Sequence, residues 1–337
     1  MANLSTTYMG IELKSPVIVG ACNLVENREN LRRMEEAGAG AIVYKSLFEE
    51  QIQLENLQMS DQMEEYAERN AEMRSLFPDI EHAGPEEHLM NLRMAVNSVK
   101  IPVIASLNCV EDETWVEYAK KIEEIGVAGL EINLYHVPFD YEIQGKAIIS
   151  EQLDVVAEVK KAVKIPVAVK LSPYYTNPLY VIKEMDKLGA DAFVLFNRLF
   201  QPEFDIDKEV MHFPYNLSHS DDNRFPLRIT GILYGNINAD ICASRGIFTG
   251  EDAISMILAG ADTVQVVSTL YKNKISQISS ILKGIEQWMD GKGYTTLNDF
   301  RGKLSMKNIN DPFAYKRAQY VDILMKSEEI FKKYPTV

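Results

Sequence analysis

Apolar positions in this chain come in short continuous runs that alternate with longer stretches where they recur every three or four residues. The first pattern suits strands buried on both faces, and the second suits amphipathic helices packed over them. Residues 16–20 read as a first strand, 30–37 as its helix, and 41–45 as a second strand that ends on Lys45. Further strands are predicted at 102–106, 129–133, 166–170, 191–196, 239–243 and 263–267. Helices are predicted between them at 86–99, 111–125, 151–163, 178–188 and 225–237. The segments KIPVIASLN and KIPVAVKLS repeat one device, a proline at the mouth of a strand where a missing N–H costs little. This alternation specifies a parallel α/β fold, and a count of eight strands closes a single (β/α)8 TIM barrel.

Two connections are too long for plain loops. The segment 49–81 is charged and Met-rich and reads as an excursion over one barrel face after strand two. The segment 198–224, rich in Phe, Pro, Asp, Asn and Ser, reads as a long loop after strand six. Beyond the eighth strand a helix runs from 274 through 289, and another is expected near 315–332. No interior linker is rich in Gly, Ser or Pro, so residues 1–305 form one barrel domain and 306–337 a C-terminal helical extension.

With 337 residues, 46% of them hydrophobic and 25% charged, the chain can bury the core that such a barrel needs. A net charge of -14 disfavours nucleic acid and anionic membranes as partners and directs attention to small molecules. Cys22, Cys109 and Cys242 stand apart, without the spacing of a zinc or iron–sulfur site, and their isolation fits a reducing cytoplasm. The segment MANLSTTYMGIELKSP has neither a basic start nor a long apolar run, so no signal peptide or spanning helix is expected there.

Chemistry is expected at the C-terminal ends of the strands. Residues 239–273 read as two strand-loop-helix units whose loops, at Ser244, Arg245 and Gly246 and at Ser268 and Thr269, can hold a phosphate or be ordinary connections. The other strands end on Lys45, on Ser106 with Asn108, and on Asn133, Lys170 and Asn197. Each alone can cap a loop, but together they make a donor-rich mouth in an acidic chain. Lysine can stabilise an anionic ring nitrogen or an enolate, and asparagine matches carbonyl and N–H edges. Flavin mononucleotide (FMN) meets that description, and no GxGxxG follows the first strand to suggest a dinucleotide site.

On these residues the chain resembles the class 1 dihydroorotate dehydrogenases, FMN-dependent barrels that oxidise dihydroorotate to orotate in pyrimidine synthesis. The resemblance is carried by the first strand through YKS, by EINL, VKLSPYY, the GI-TGEDA and AGADTVQV stretches, and by GKGYTTLNDFRGKL. It implies that Gly20, Ala21 and Cys22 line the flavin, that Lys45 lies near ring and substrate, and that Lys170 faces the ring. It implies also that Asn133 and Asn197 reach flavin or substrate and that Gly246, Ser268 and Thr269 hold the phosphate. A homodimer follows from the same resemblance. A soluble electron acceptor is expected because the start of the chain carries no membrane-seeking helix.

The chain departs from that family where substrate is handled. The loop after strand four, where the family places a catalytic cysteine, reads Asn133-Leu134-Tyr135-His136-Val137-Pro138. The family's Asn-Ser-Met-Gly segment has no counterpart in 49–81, Arg198 replaces a serine, and Arg245 replaces a glycine. His136 can serve as the replacement base or as a loop histidine bonded to backbone. Arg198 can read a different anionic group, and Arg245 can add a side-chain charge to the phosphate loop. Three functions stay open: dihydroorotate oxidation, flavin chemistry on another small molecule, and a flavin-binding protein without catalysis.

Overall fold

The computed structural model describes residues 2–50, 52, 85–108, 112–137, 140–199, 201–212, 214–326, 328 and 332. The excursion expected at 49–81 lies outside these residues except at Glu49, Glu50 and Ile52.

The chain opens with an antiparallel hairpin, β1 (Thr6–Tyr8) and β2 (Ile11–Leu13). Six parallel barrel strands follow: β3 (Val17–Val19), β4 (Ala41–Phe48), β5 (Val103–Asn108), β6 (Gly129–Leu134), β7 (Val167–Leu171) and β8 (Ala192–Leu195). A second hairpin, β9 (Glu203–Asp205) and β10 (Val210–His212), sits in the connection after β8. The strands β11 (Asp240–Ser244) and β12 (Thr263–Val266) complete the ring, with β11 paired to β8 and β12 to β3. The eight-stranded parallel barrel expected from the alternation is therefore the observed fold.

Side chains on each strand face the barrel axis and the helix layer in turn. Ile18, Ala41, Val43, Ile104, Ala168, Ala192 and Val194 meet inside, while Val17, Val19, Ile42 and Tyr44 pack outward against helices. Both faces are buried, which is why the strands read as unbroken apolar runs. The first hairpin sends Tyr8, Met9 and Leu13 into the inner cluster, and the Met9 N–H donates to the Asp240 carboxylate at 2.7 Å. It closes the lower end, where the strands begin.

The helices are α1 (Arg28–Glu36), α2 (Pro85–Val96), α3 (Asp112–Glu123), α4 (Gly145–Ala162), α5 (Pro178–Lys187), α6 (Arg224–Leu233), α7 (Gly250–Ala259), α8 (Ser268–Asn273), α9 (Gln277–Lys292) and α10 (Arg317–Met325). Asn27 starts α1 by accepting the N–H groups of Glu29 and Asn30. Helices α7 and α9 touch at Gly250 and Gly284, where a Cβ on Gly250 would stand 2.9 Å from the Gly284 Cα.

Some boundaries differ from expectation. Strand two continues to Phe48, and α6 stops at Leu233 rather than 237 because Gly235 turns the chain at φ 73°. The helix expected at 315–332 is seen as α10, preceded by a short turn at Pro312–Tyr315.

Candidate active site

The upper ends of the strands surround a cavity of about 320 Å³. One side takes Ser46 from β4, Asn108 from β5, Asn133 from β6, Lys170 from β7 and Asn197 just past β8. The other side is built from Ser244, Arg245 and Gly246 at the end of β11 and Ser268 at the start of α8. Among the described residues this wall contains no carboxylate.

Below the wall, Lys170 is held by two buried partners. Its Nζ lies 2.7 Å from Gln265 Oε1 and 3.2 Å from Glu131 Oε1, and Gln265 Nε2 donates to Glu131 Oε2 at 2.8 Å. The side chains of Lys170 and Glu131 are only 9% and 2% exposed, so the ammonium has one carboxylate to neutralise it and little freedom to move. Above it, Asn197 Nδ2 donates to Asn133 Oδ1 at 3.1 Å. Among the described residues this leaves the Asn133 amino group and the Asn197 carbonyl for a ligand.

At the opposite end two arginines share Asp222. Arg198 Nη1 is 2.7 Å from Asp222 Oδ2, and Arg245 Nη2 is 3.7 Å from Asp222 Oδ1. Arg198 Nε also donates to the Asn216 carbonyl, which ties the loop after β8 over the cavity. The same loop is fastened from the far side, because Ser218 N–H donates to Ser268 Oγ at 2.9 Å and Lys272 Nζ to the Ser218 carbonyl at 2.8 Å. Arg245 holds φ at 77° and its buried Nε has no partner among the described residues. Burial pulls its basicity down and Asp222 opposes the shift. The helix behind this loop caps itself: Asp252 Oδ2 accepts the N–H groups of Phe248 and Thr249, which are thus taken.

Other expected residues stand behind the wall or away from it. Ala21 reaches the wall, whereas Gly20 and Cys22 do not. Gly20 has a packing role, since a Cβ there would come within 2.8 Å of Val267 Cγ2 and 2.9 Å of the Gln265 side chain. Burial pushes the Cys22 thiol up, which disfavours a thiolate. Ser106 lies behind Ser46, with the two hydroxyls 2.7 Å apart, and Thr269 is buried and accepts from Asn273. The register of β4 shifts between Val43 and Ser46, so Ser46 takes the inward position and Lys45 pairs with Glu26 at 2.9 Å.

His136 is not in this wall. It lines a second, larger cavity of about 920 Å³ between the loop after β6, α4 and the loop after β7. Tyr135 and Leu199 belong to both cavities. The structure therefore brings together Ala21, Asn133, Lys170, Asn197, Arg198, Ser244, Arg245, Gly246 and Ser268, and leaves Lys45 and His136 apart from them.

Residues of the site that escaped the sequence reading include Ser46, Asp222, Glu131 and Gln265. A signal for Glu131 existed: it is two residues before Asn133 on β6 and so faces the same way, inward in a strand that is otherwise apolar. Gln265 breaks the apolar run TVQV in the same manner.

Comparison with known proteins agrees with this geometry. The sequence profile of the family described as dihydroorotate dehydrogenase matches residues 3–289. A relative from Thermoplasma acidophilum, named dihydroorotate dehydrogenase B (NAD(+)), catalytic subunit, is 30% identical over 309 residues, covering 90% of this chain and 99% of its own. Proteins of the same name from Thermoplasma volcanium and Methanocaldococcus jannaschii are 31% and 29% identical, covering 81% and 83% of this chain and 88% and 94% of their own. No helix of the described residues is long and apolar enough to cross a membrane. A barrel whose mouth gathers a buried lysine, paired amides and a cationic loop end, and whose sequence fits one profile over residues 3–289, belongs to the dihydroorotate dehydrogenase family of oxidoreductases.

Proposed function

We propose that the chain is an FMN-dependent oxidoreductase that removes hydrogen across a CH–CH bond of a small anion, with dihydroorotate, oxidised to orotate in pyrimidine synthesis, as the substrate to test first. One observation carries the reading: the buried Lys170 ammonium and the Asn133–Asn197 amide pair occupy one end of a cavity whose other end presents Arg245 and Ser268. The donor set fits FMN, because the ring needs partners for its polar edge, the phosphate needs donors, and Arg245 Nε lacks a partner among the described residues. When bound, FMN would supply the hydride acceptor.

The chain's own residues do the rest. Glu131 and Gln265 hold Lys170 Nζ at the ring end of the cavity, where its positive charge would favour a ring that takes up electrons. Ala21 would give the strand-one side of the ring site, with Gly20 behind it leaving room for the Gln265 side chain, and Ser244, Gly246 and Ser268 would give the phosphate end, with the buried Thr269 behind them. Asn133, Asn197 and Arg198 orient the substrate, and Leu199 and Leu217 exclude water. Lys45 joins this set only when Glu26 releases it. The names of the relatives, catalytic subunits of an NAD(+) form, favour electrons leaving to a soluble partner protein, and the family favours a homodimer.

A second reading keeps the cofactor and changes the substrate. It draws on the place of His136, which takes the sequence position of the family's cysteine yet lines the neighbouring cavity. The test is the visible spectrum of the purified protein followed by anaerobic addition of dihydroorotate. Bleaching of a yellow protein is the expected result. A yellow protein that stays yellow rejects dihydroorotate, and a colourless protein rejects the flavin.

A further inference from the structure

The cavity that holds His136 has nearly three times the volume of the central one, about 920 Å³ against about 320 Å³, and the two meet at Tyr135 and Leu199. Pockets for drug-sized ligands run from about 300 to about 1,000 Å³, so the central cavity would be largely taken up by a cofactor ring and its tail with the reacting end of a substrate, while the neighbour has room for more. We infer that this neighbouring cleft receives the distal part of the substrate, and that the substrate is an anion carrying a flat aromatic or heteroaromatic extension beyond the group that reacts. The inference rests on the proposal that FMN occupies the central cavity, and it names a substrate class for the second reading.

The walls select such a shape. Tyr135, Tyr174 and Tyr180 are 42%, 69% and 55% exposed and all face the cleft, over an apolar bed of Ile148, Ile149 and Leu153. Aromatic faces left open around a concave bed suit a planar ring, which gains both buried area and ring-to-ring contact. The wall is set before any ligand arrives, because Tyr175 Oη donates to Gln152 Oε1 at 2.7 Å and both line the cleft. Its charge has one sign. Lys146 stands in it without an Asp or Glu among the described lining residues, in a chain whose net charge is -14.

The test compares a short and a long aromatic acid, benzoate and biphenylcarboxylate, by titration calorimetry on the purified holoprotein, with the visible spectrum recorded on the same sample. Biphenylcarboxylate is expected to bind about tenfold or more tightly than benzoate, the gain of one stacked and buried ring. The double variant Tyr174→Ala with Tyr180→Ala, and separately Lys146→Glu, are expected to lose that gain with the flavin spectrum unchanged. Equal affinity for the two acids, no binding of either, or a preference that both variants keep would overturn the proposal. The two readings separate, since the spectrum alone reports the flavin and calorimetry reports the cleft whether or not the protein is yellow.

Discussion

At the lower end of the barrel the carboxylates are committed to backbone. Asp262 Oδ2 accepts the Ile241 N–H at 2.8 Å, Asp240 that of Met9, and Asp191 that of Val167, so each acid fixes the start of a strand or the hairpin below it. At the upper end the charged side chains that line the cavity are cations, Lys170, Arg198 and Arg245, and their carboxylate partners Glu131 and Asp222 stand behind them. The lower acids are structural because a backbone donor meets each of them. Arg245 Nε has no hydrogen-bond partner among the described residues, as Arg301 Nε has none at the lower end, so the contrast rests on what the upper cations line, a cavity, and not on spare donors. The difference separates the end that holds the fold from the end held ready for a ligand.

The strongest way to break this contrast is Glu131→Ala, which leaves the Lys170 ammonium buried without its carboxylate. A loss of about 3–5 kcal/mol in urea unfolding is expected, and the double replacement Glu131→Leu with Lys170→Met should recover most of it. A single variant that unfolds like the parent would remove the ion pair from the account of the site. The next effect is a pH dependence from the lower end. Burial raises the Asp262 carboxyl to about 6, with Arg301 opposing the shift. The folded state therefore binds a proton between the usual carboxylate range, about 4, and about 6, and stability falls as pH rises through that window. Asp262→Asn should flatten the profile of melting temperature against pH over the same interval.

A smaller effect separates structure from binding. Arg245→Gly relieves a positive φ and should keep or raise the melting temperature while FMN affinity falls about tenfold in equilibrium dialysis. Unchanged affinity would return Arg245 to the structural side. The smallest effect is expected for Lys45→Ala, whose half-exposed pairing with Glu26 contributes at most about 1 kcal/mol to thermal stability.

The barrel was legible because strands buried on both faces leave unbroken apolar runs, and eight of them allow one closure. The two hairpins were not legible. Each is built of three-residue strands, and β9 and β10 are exposed on both sides, so no alternation marks them. In the site, Lys170, Asn133 and Asn197 were readable as polar ends of apolar strands. Lys45 looked the same in sequence, and only the register shift in β4 distinguishes it from Lys170. The position of His136 depends on how the loop after β6 leaves the strand, and a loop sequence carries no distance. Glu131 and Gln265 were hidden because they sit one step below the strand ends, where attention to the last residue overlooks the one beneath.

The hairpin that plugs the barrel is made first and completed last. Thr6 Oγ1 donates to the Asp262 carbonyl 256 residues away, and the partner of Met9 lies 231 residues downstream. During synthesis from the N-terminus the floor therefore waits for β11 and β12, and β3 keeps an open edge until β12 arrives. Contacts of such separation place this chain among slow folders, and because these are completed last, changes at Asp240 and Asp262 should act mainly on the unfolding rate.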